Sequence, residues 1–424
     1  MKTIPRRIRK LLRDVPGTAP GSRERVRRAR RRLPHYPGTT PEQVEAVLNG
    51  LCVLVVGCGA LGRLVAIMLA RLSVARLMIV DPQQYHPDNL ETQAYGSGEI
   101  GAYKAETVAN IAAEISSGTW VQYYNGPIQD LFVSPDLADL TRADVIISLG
   151  DNLKMTADVG GLSTRFGKKH LFAAVDGATM VSQVRTFRNE SAASACSACG
   201  FNDEEWDLHE RGTIFSCNGA PARGGPNNAE PPPTIAGPET CGMAATLTVT
   251  QLKRLVLGLG DDVGDTMLEF CGFTGKTVAN PLHRSASCRL PHDRDVIRDA
   301  PRPLADCSLD DLLVEPGGAP AGDDALLTLD GWEWAAMGRC GCHRGELHEL
   351  ERFIPAKTSS AGTCVLCRKE IRAPFAQIYP GVSPRLLASV RHLPLRECGA
   401  DEIDWVQRSH GDTTILFRNP QQTP

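Results

Sequence analysis

Short apolar runs alternate with segments of helical periodicity along the chain as far as residue 257. Four runs have the length of buried strands: 53–56, 77–80, 145–149 and 171–175. Three segments carry apolar residues at helical spacing: 63–72, 102–115 and 242–257. Strands that alternate with helices indicate a parallel sheet with right-handed crossovers. We therefore predict an α/β fold, in which flanking helices cover a Rossmann-like, mostly parallel sheet.

Changes in composition divide the chain into four parts. Residues 1–45 form a basic N-terminal arm, and the α/β domain follows at 46–298. Within that domain, residues 200–240 are rich in Gly, Pro and Asn, which predicts a long crossover loop. A stretch rich in Pro, Gly and Asp predicts a linker over 299–323, and 324–424 reads as a small, cysteine-bearing C-terminal domain.

The composition is that of a globular protein, with 42% hydrophobic residues among 424. No apolar run approaches the ~20 residues of a membrane span, and no signal peptide is visible, so we expect a cytoplasmic protein without a membrane partner. The net charge is −3, yet the first 35 residues hold thirteen Lys or Arg against two acids. Such an arm is either solvated, part of a transit peptide, or a contact for an anionic partner. Nucleic acid is not the expected partner, because no aromatic residue interrupts the arm before Tyr36.

A glycine loop directly follows the first predicted strand and opens the first predicted helix. Gly57, Gly59 and Gly62 give the spacing G-x-G-x-x-G, which permits a tight turn and close approach of the backbone to phosphate. Asp81 ends the next strand, where a carboxylate can bind a ribose hydroxyl. These features fit an NAD(P)-dependent oxidoreductase as well as an ATP-using enzyme, and a glycine turn without a ligand is the plainer alternative.

Residues farther along the chain separate these alternatives. The segment that begins at Asp81 continues through Asn89 to Gln93, and Gly-Ala-Tyr precedes Lys104. A later strand ends at Gly-Asp-Asn, which includes Asp151. Taken in this order with the glycine loop, the series resembles the ThiF/MoeB/HesA family, to which ubiquitin-activating enzymes also belong. The resemblance covers about residues 45–295.

The resemblance implies an adenylating enzyme that binds ATP and Mg²⁺. Asp81 would hold the ribose, Asn89 and Gln93 would line the nucleotide site, Lys104 would meet the phosphates, and Asp151 would coordinate Mg²⁺. Lysine and Mg²⁺ suit this chemistry, because negative charge builds up at the α-phosphate under attack by a carboxylate. Taken alone, Lys104 could be a helix-surface lysine and Asp151 a helix cap.

Two positions depart from the family pattern. Gln83 stands where the family has a second Asp, and Thr92 stands where it has an Arg that contacts phosphate in relatives. In relatives an N-terminal Arg reaches the ATP of the partner subunit, so an arginine between Arg23 and Arg32 could substitute, and the resemblance implies a homodimer. The two departures leave a non-catalytic adaptor on a degenerate ThiF fold as an alternative.

Fourteen cysteines are present, and their spacing favours metal sites over disulfides. Cys196 and Cys199 form a C-x-x-C pair, which can share one tetrahedral zinc ion. A thioredoxin-like redox pair is the alternative for this motif. The remaining ligands are predicted to be Cys288 and His292, with Cys271 and His283 as competitors for the place of His292.

A second set of cysteines lies in the C-terminal domain. Cys340 with Cys342, and Cys364 with Cys367, form two pairs about twenty residues apart, which predicts a zinc ribbon or knuckle. We expect this zinc to be structural. The fold prediction is therefore completed by a small zinc-bearing C-terminal module.

Cys241 is the predicted nucleophile, since it lies between the crossover loop and a predicted helix. A helix N-terminus lowers the pKa of a thiol and presents it to substrate. Relatives that form a thioester carry a Cys at this junction. Cys217, inside the crossover loop, is the second candidate, and a buried small cysteine at a helix start is the plainer alternative.

Together these observations predict ATP-dependent adenylation of the C-terminus of a ubiquitin-like or sulfur-carrier protein. Either Cys241 then takes the acyl group as a thioester, or a sulfur donor completes the transfer. A conjugating enzyme is a possible further partner, which the basic arm or the zinc-bearing module would recruit.

Overall fold

The computed structural model describes most of the chain: residues 10–20, 36–93, 95–116, 118–150, 153–210, 236–313, 325–340, 342, 347–356, 358–364, 366–411 and 413–420. These residues form two compact units. We call them the α/β unit (Leu12–Asp130 with Arg142–Arg294) and the C-terminal unit (the described residues of Leu131–Thr141 and Asp295–Thr423, with Lys10 and Leu11). No helix among the described residues is both long and apolar enough to cross a membrane.

The strands of the α/β unit form one sheet: β1 (Arg13–Asp14), β2 (Cys52–Val56), β3 (Arg76–Val80), β4 (Trp120–Tyr124), β5 (Val145–Ser148), β6 (Lys169–Asp176), β7 (Val181–Phe187), β8 (Thr266–Cys271) and β9 (Lys276–Pro281). The α-helices of the described chain are α1 (Pro41–Gly50), α2 (Ala60–Leu72), α3 (Lys104–Ile115), α4 (Ile128–Phe132), α5 (Leu137–Leu140), α6 (Leu153–Arg165), α7 (Asp203–Glu210), α8 (Pro238–Leu257) and α9 (Leu309–Leu312). Helices α5 and α9 belong to the C-terminal unit.

The strand order of this sheet is β1-β4-β3-β2-β5-β6-β7-β8-β9. The five strands from β4 to β6 are parallel, which confirms the predicted Rossmann-like α/β fold. The chain order reverses between β2 and β5, so the loops that follow these two strands open side by side at the carboxyl edge. Sheets of this kind bind their ligands at such a switch point.

The central strands are buried because helices cover the parallel sheet. Strands β2, β3 and β5 are buried along their whole length, and helices α2, α3 and α8 share one apolar cluster with them. Strands β7, β8 and β9 extend the sheet in antiparallel fashion. Strand β8 is half-buried and β9 is largely exposed, so their sequences lack the continuous apolar run that marks a buried strand.

The C-terminal unit is built around a second sheet of seven strands: β10 (Val296–Asp299), β11 (Leu326–Leu329), β12 (Trp332–Arg339), β13 (Leu347–Pro355), β16 (Ala376–Tyr379), β17 (Trp405–His410) and β18 (Thr413–Arg418). A separate ladder joins β14 (Ser360–Thr363) to β15 (Glu370–Arg372). Strand β10 pairs in parallel with β18, and Leu304, Leu309 and Leu312 are fully buried in this unit's core. Residues 299–313 therefore pack within the unit, although their composition predicts a linker.

A buried imidazole lies between two strands of the α/β unit. Ser148 Oγ lies 2.7 Å from His170 Nε2, and the His170 ring stacks on Phe187. Both Ser148 and His170 are fully buried, and His170 Nδ1 has no hydrogen-bond partner among the described residues. Burial lowers the pKa of His170 to about 3, because a charged imidazole loses its hydration there.

This histidine makes the free energy of unfolding depend on pH. The folded pKa is lowered below the unfolded value of about 6.5, so the unfolded chain binds a proton that the folded chain excludes. We expect stability to be fully present above pH 6.5 and to fall by about 1.4 kcal/mol per pH unit below it. Urea unfolding from pH 7.5 to 5 should show this slope, reduced in His170→Gln and retained in the exposed control His86→Gln. An unchanged slope in His170→Gln would contradict the assignment.

Candidate functional site

The glycine loop joins β2 to α2 at the switch point of the sheet. Gly57 has a φ of +94°, and a Cβ there would lie 3.1 Å from the carbonyl carbon of Leu149. A Cβ at Gly62 would overlap the carbonyl oxygen of Gly57. The turn is therefore closed by backbone packing that leaves no room for side chains at these two positions. The same packing holds the end of β5, at Leu149 and Gly150, against the loop.

Asp81 connects the glycine loop to the loop that follows β3. Its carboxylate is 5% exposed, and it accepts hydrogen bonds from the backbone N–H of Cys58 (2.6 Å) and of Gln83 (2.7 Å). The structure therefore places Asp81 beside the glycine loop. Its role in holding a ribose stays a prediction.

Lys104 is the first residue of α3 and is 1% exposed, which excludes a helix-surface lysine. Its Nζ donates to Gln83 Oε1 at 2.9 Å and lies 5.9 Å from the centre of the Tyr85 ring. A lysine ammonium has three donors, so the bond to Gln83 does not exhaust them. Through Gln83 and Asp81, hydrogen bonds link this buried cation to the glycine loop.

Two amide side chains complete the described part of the candidate nucleotide site. Asn89 is 4% exposed, and its Oδ1 accepts from the backbone N–H of His86, so this side chain shapes the turn before Gln93. Gln93 lies against the loop, because a Cβ at Gly59 would be 3.7 Å from Gln93 Oε1. That oxygen is buried without a hydrogen-bond partner among the described residues. A bound ligand that donates a hydrogen bond would satisfy it.

The structure therefore brings the glycine loop, Asp81, Gln83, Gln93 and Lys104 into one region at the carboxyl edge of the sheet. Asp151, the predicted Mg²⁺ ligand, lies outside the described residues.

Sequence reasoning missed a buried arginine in this region. Arg63 follows the last glycine of the loop, is 1% exposed and donates to Tyr85 and Glu99. Arginine on a helix is usually solvated, so the residue type alone predicts exposure. The one feature that could have indicated burial is the place of Arg63 in the first turn of a helix whose neighbouring residues are apolar.

The first metal-binding candidate unites all four predicted ligands of the α/β unit. The ligand atoms of Cys196, Cys199, Cys288 and His292 lie within 4.8 Å of one another. Cys196 Sγ is 3.7 Å from both Cys199 Sγ and Cys288 Sγ. A tetrahedron with zinc–sulfur bonds of ~2.3 Å has edges of about 3.8 Å, so these separations fit zinc. Ser194 O lies 3.0 Å from His292 Nδ1, which leaves Nε2 facing the cluster.

The second candidate lies in the C-terminal unit. Cys340 Sγ is 3.4 Å from Cys367 Sγ, Cys342 Sγ is 3.6 Å from Cys364 Sγ, and all four sulfurs lie within 4.8 Å of one another. Cys340 and Cys364 are buried beside Ile354 and other apolar residues. Four thiolates in this arrangement can hold a structural zinc ion, whereas the competitors Cys271 and His283 belong to neither group.

Cys241 differs from what the sequence predicts. It is the fourth residue of α8 and is 1% exposed, within the apolar cluster that α8 shares with the sheet. Burial, and then the charge of Glu239, raise the pKa of Cys241 to about 11. The expectation of an exposed thiol with a lowered pKa is therefore wrong, because desolvation outweighs the helix N-terminus. Its role as nucleophile stays a prediction, and Cys217 lies outside the described residues.

A glycine loop at the switch point of a parallel sheet defines a Rossmann-like α/β protein. The chain belongs to the ThiF family, whose family model matches residues 36–290. This finding confirms the resemblance drawn from the ordered motifs.

Among solved structures, the chain is similar in fold to E. coli MccB and to PaaA. MccB with succinimide is 16% identical, with 59% of this chain and 69% of that chain covered and a TM-score of 0.46. MccB with ATP is 16% identical, with 59% and 68% covered and a TM-score of 0.45. PaaA is 14% identical, with 57% and 67% covered and a TM-score of 0.41. No curated protein sequence matches the chain.

The geometry of the cysteine clusters predicts two zinc ions per chain. Elemental analysis of the purified protein should find two, and Cys199→Ser and Cys364→Ser should each retain one, because three ligands hold zinc far more weakly than four. Cys398→Ser is the control, since Cys398 is buried in the C-terminal unit apart from both clusters. Retention of both ions in either ligand variant would contradict the assigned ligands.

Proposed function

We propose that this protein uses ATP to adenylate the C-terminal carboxylate of a small protein, of the ubiquitin-like or sulfur-carrier class. Membership of the ThiF family supports the reaction type. The observation that carries the proposal is the burial of Lys104. Hydrogen bonds through Gln83 and Asp81 connect this lysine to a glycine loop of the phosphate-binding type. A buried cation at a helix N-terminus beside such a loop favours a polyanionic ligand.

The proposed reaction is a substitution at the α-phosphorus of ATP. A carboxylate oxygen of the substrate forms a bond to phosphorus, the bond from phosphorus to the bridging oxygen breaks, and pyrophosphate leaves. The products are an acyl-adenylate and pyrophosphate. Negative charge on the phosphate oxygens grows during this step, and the ammonium of Lys104 would stabilise it in a site from which water is excluded.

Mg²⁺ would neutralise phosphate charge and orient the leaving group. Its predicted ligand, Asp151, follows Gly150, whose backbone packs against Gly57. The adenine and ribose would lie near Gln93 and Asp81, where the buried Gln93 Oε1 can accept a hydrogen bond from the ligand. As part of the same proposal, zinc occupies both cysteine clusters, and the enzyme works as a homodimer.

The step after adenylation has two forms in this proposal. A thioester requires Cys241 to leave the apolar cluster and lose its proton, because the buried thiol with its raised pKa is a poor nucleophile. Otherwise a sulfur donor attacks the adenylate directly, with AMP as the leaving group. The downstream partner is a conjugating enzyme in the first case and a sulfur-transfer protein in the second.

Pyrophosphate exchange tests the adenylation step. With ATP, Mg²⁺ and a panel of ubiquitin-like and sulfur-carrier proteins that end in Gly-Gly, we expect labelled pyrophosphate to enter ATP. Lys104→Met should lower the exchange rate by about 100-fold or more, since it removes the charge and keeps the side chain's length. Lys276→Met, on the exposed strand β9, should exchange at the wild-type rate.

Each failure of this experiment points to one alternative. A wild-type protein that does not bind ATP with Mg²⁺ would favour the non-catalytic adaptor, and binding of a nicotinamide dinucleotide in its place would favour the oxidoreductase. Full activity of Lys104→Met would remove that lysine from the mechanism.

The fate of the adenylate is tested by trapping a covalent adduct. If Cys241 forms a thioester, gel electrophoresis without reductant should show an adduct with the substrate protein, lost on adding thiol and absent in Cys241→Ala. Because Cys241 is buried, the thioester should form more slowly than the adenylate. Pyrophosphate exchange in Cys241→Ala should therefore stay near the wild-type rate. An adduct that persists in Cys241→Ala and disappears in Cys217→Ala would transfer the role to Cys217.

A further inference from the structure

The guanidinium of Arg63 lies at the centre of a cluster that the proposed chemistry does not use. Arg63 is in the first turn of α2, and its backbone N–H donates to Gly59 O, inside the glycine loop. Its Nη1 donates to Tyr85 Oη at 2.8 Å and to Glu99 Oε2 at 2.6 Å, and its Nη2 donates to Glu99 Oε1 at 2.7 Å. The guanidinium therefore grips one carboxylate with two parallel hydrogen bonds.

The described partners of the Arg63 guanidinium belong to the segment 83–103, which we call the connecting segment. Tyr85 lies near its start, Tyr95 in its middle and Glu99 near its end. The Arg63 guanidinium carbon is 3.6 Å from the centre of the Tyr95 ring, and the backbone N–H of Tyr95 donates to Glu99 Oε2. One buried side chain thus holds three widely spaced points of the connecting segment.

The connecting segment carries, or directly precedes, part of the candidate nucleotide site. Gln83 and Gln93 belong to it, and Lys104 follows it. Backbone hydrogen bonds join Tyr85 to Ala102 and Gly101, and Lys104 to Gln83. Movement of Tyr85 would therefore displace Lys104 and its hydrogen-bond acceptor together.

Stability alone is a weak reason for this arrangement. Burying a charged pair loses hydration free energy that the ion pair offsets only in part, and well-packed apolar residues are often as stable. Arg63 also leaves its Nε buried without a partner among the described residues, which is a further cost. A fork-shaped cation fixes the direction and distance of the groups it binds, which an apolar contact does not.

We infer that Arg63 is a positioning residue of the nucleotide site. It fixes the connecting segment on the first turn of α2, and so holds Lys104 and Gln93 at the glycine loop. The inference deepens the proposed function, on which it rests for the identity of the ligand as ATP.

Equilibrium binding of ATP with Mg²⁺ to the full chain tests this role without requiring the protein substrate. Arg63→Lys keeps the charge but cannot form the fork, and we expect it to raise the Kd for ATP by about tenfold or more. Glu99→Gln should raise the Kd similarly. The double variant should bind ATP no more weakly than the weaker-binding single variant, because both substitutions break the same interaction.

Arg76→Lys is a matched control. Arg76 is also buried, lies 4.0 Å from the centre of the Trp120 ring and donates to Gln122 Oε1, but it begins β3 at the edge opposite Asp81. Arg76→Lys should lower the melting temperature about as much as Arg63→Lys does. Its Kd for ATP should equal that of wild type.

Three results would overturn the inference, and they are distinguishable. If wild type binds ATP and Arg63→Lys binds it equally well while melting at a lower temperature, Arg63 is a stabilising residue only. If wild type does not bind ATP, the proposed function fails and removes the ligand on which the inference rests. Additive effects of Arg63→Lys and Glu99→Gln on the Kd would also contradict a shared clamp.

Discussion

The backbone of the glycine loop turns so tightly that Gly62 faces the carbonyl oxygen of Gly57, and a side chain at Gly62 would displace that carbonyl. This packing fixes where α2 begins and directs the free N–H groups of its first turn to the carboxyl edge of the sheet. It also presses the end of β5, at Leu149, against Gly57. The position of every other group in the candidate site follows from these contacts, because the loops after β3 and β5 are attached to this turn.

The charged groups around the glycine loop are held by different kinds of partner. Lys104 is held by a neutral amide, whereas the carboxylate of Asp81 is occupied by backbone N–H groups. Burial, and then Asp81, raise the pKa of the Cys58 thiol well above its usual range, so no thiolate forms inside the loop. Arg63 is neutralised by Glu99, whose pKa it lowers by hydrogen bonding. Lys104 is thus a buried cation whose described hydrogen-bond acceptor is a neutral amide.

Much of this architecture could be predicted because it follows from local pattern. The parallel strands are continuous apolar runs, and the spacing of Cys196, Cys199, Cys288 and His292 anticipated a cluster that the fold assembles. Burial of polar residues could not be predicted in the same way. Arg63 and Cys241 both lie in the first turns of helices, where sequence indicates exposure, yet tertiary packing buries both. Composition likewise predicts a linker over 299–313, where two prolines and four aspartates stand beside four leucines, yet all four leucines are buried in the core of the C-terminal unit.

The first cysteine cluster has a consequence for how the rest of the α/β unit is held. Cys196 and Cys288 are 92 residues apart in sequence, and the chain between them includes α7, α8 and the β8–β9 pair. A cross-link that closes a loop of about 100 residues lowers the conformational entropy of the unfolded chain. This raises the free energy of unfolding by on the order of 4–5 kcal/mol. Zinc at this cluster would therefore stabilise the folded arrangement of the section that contains α8 and Cys241.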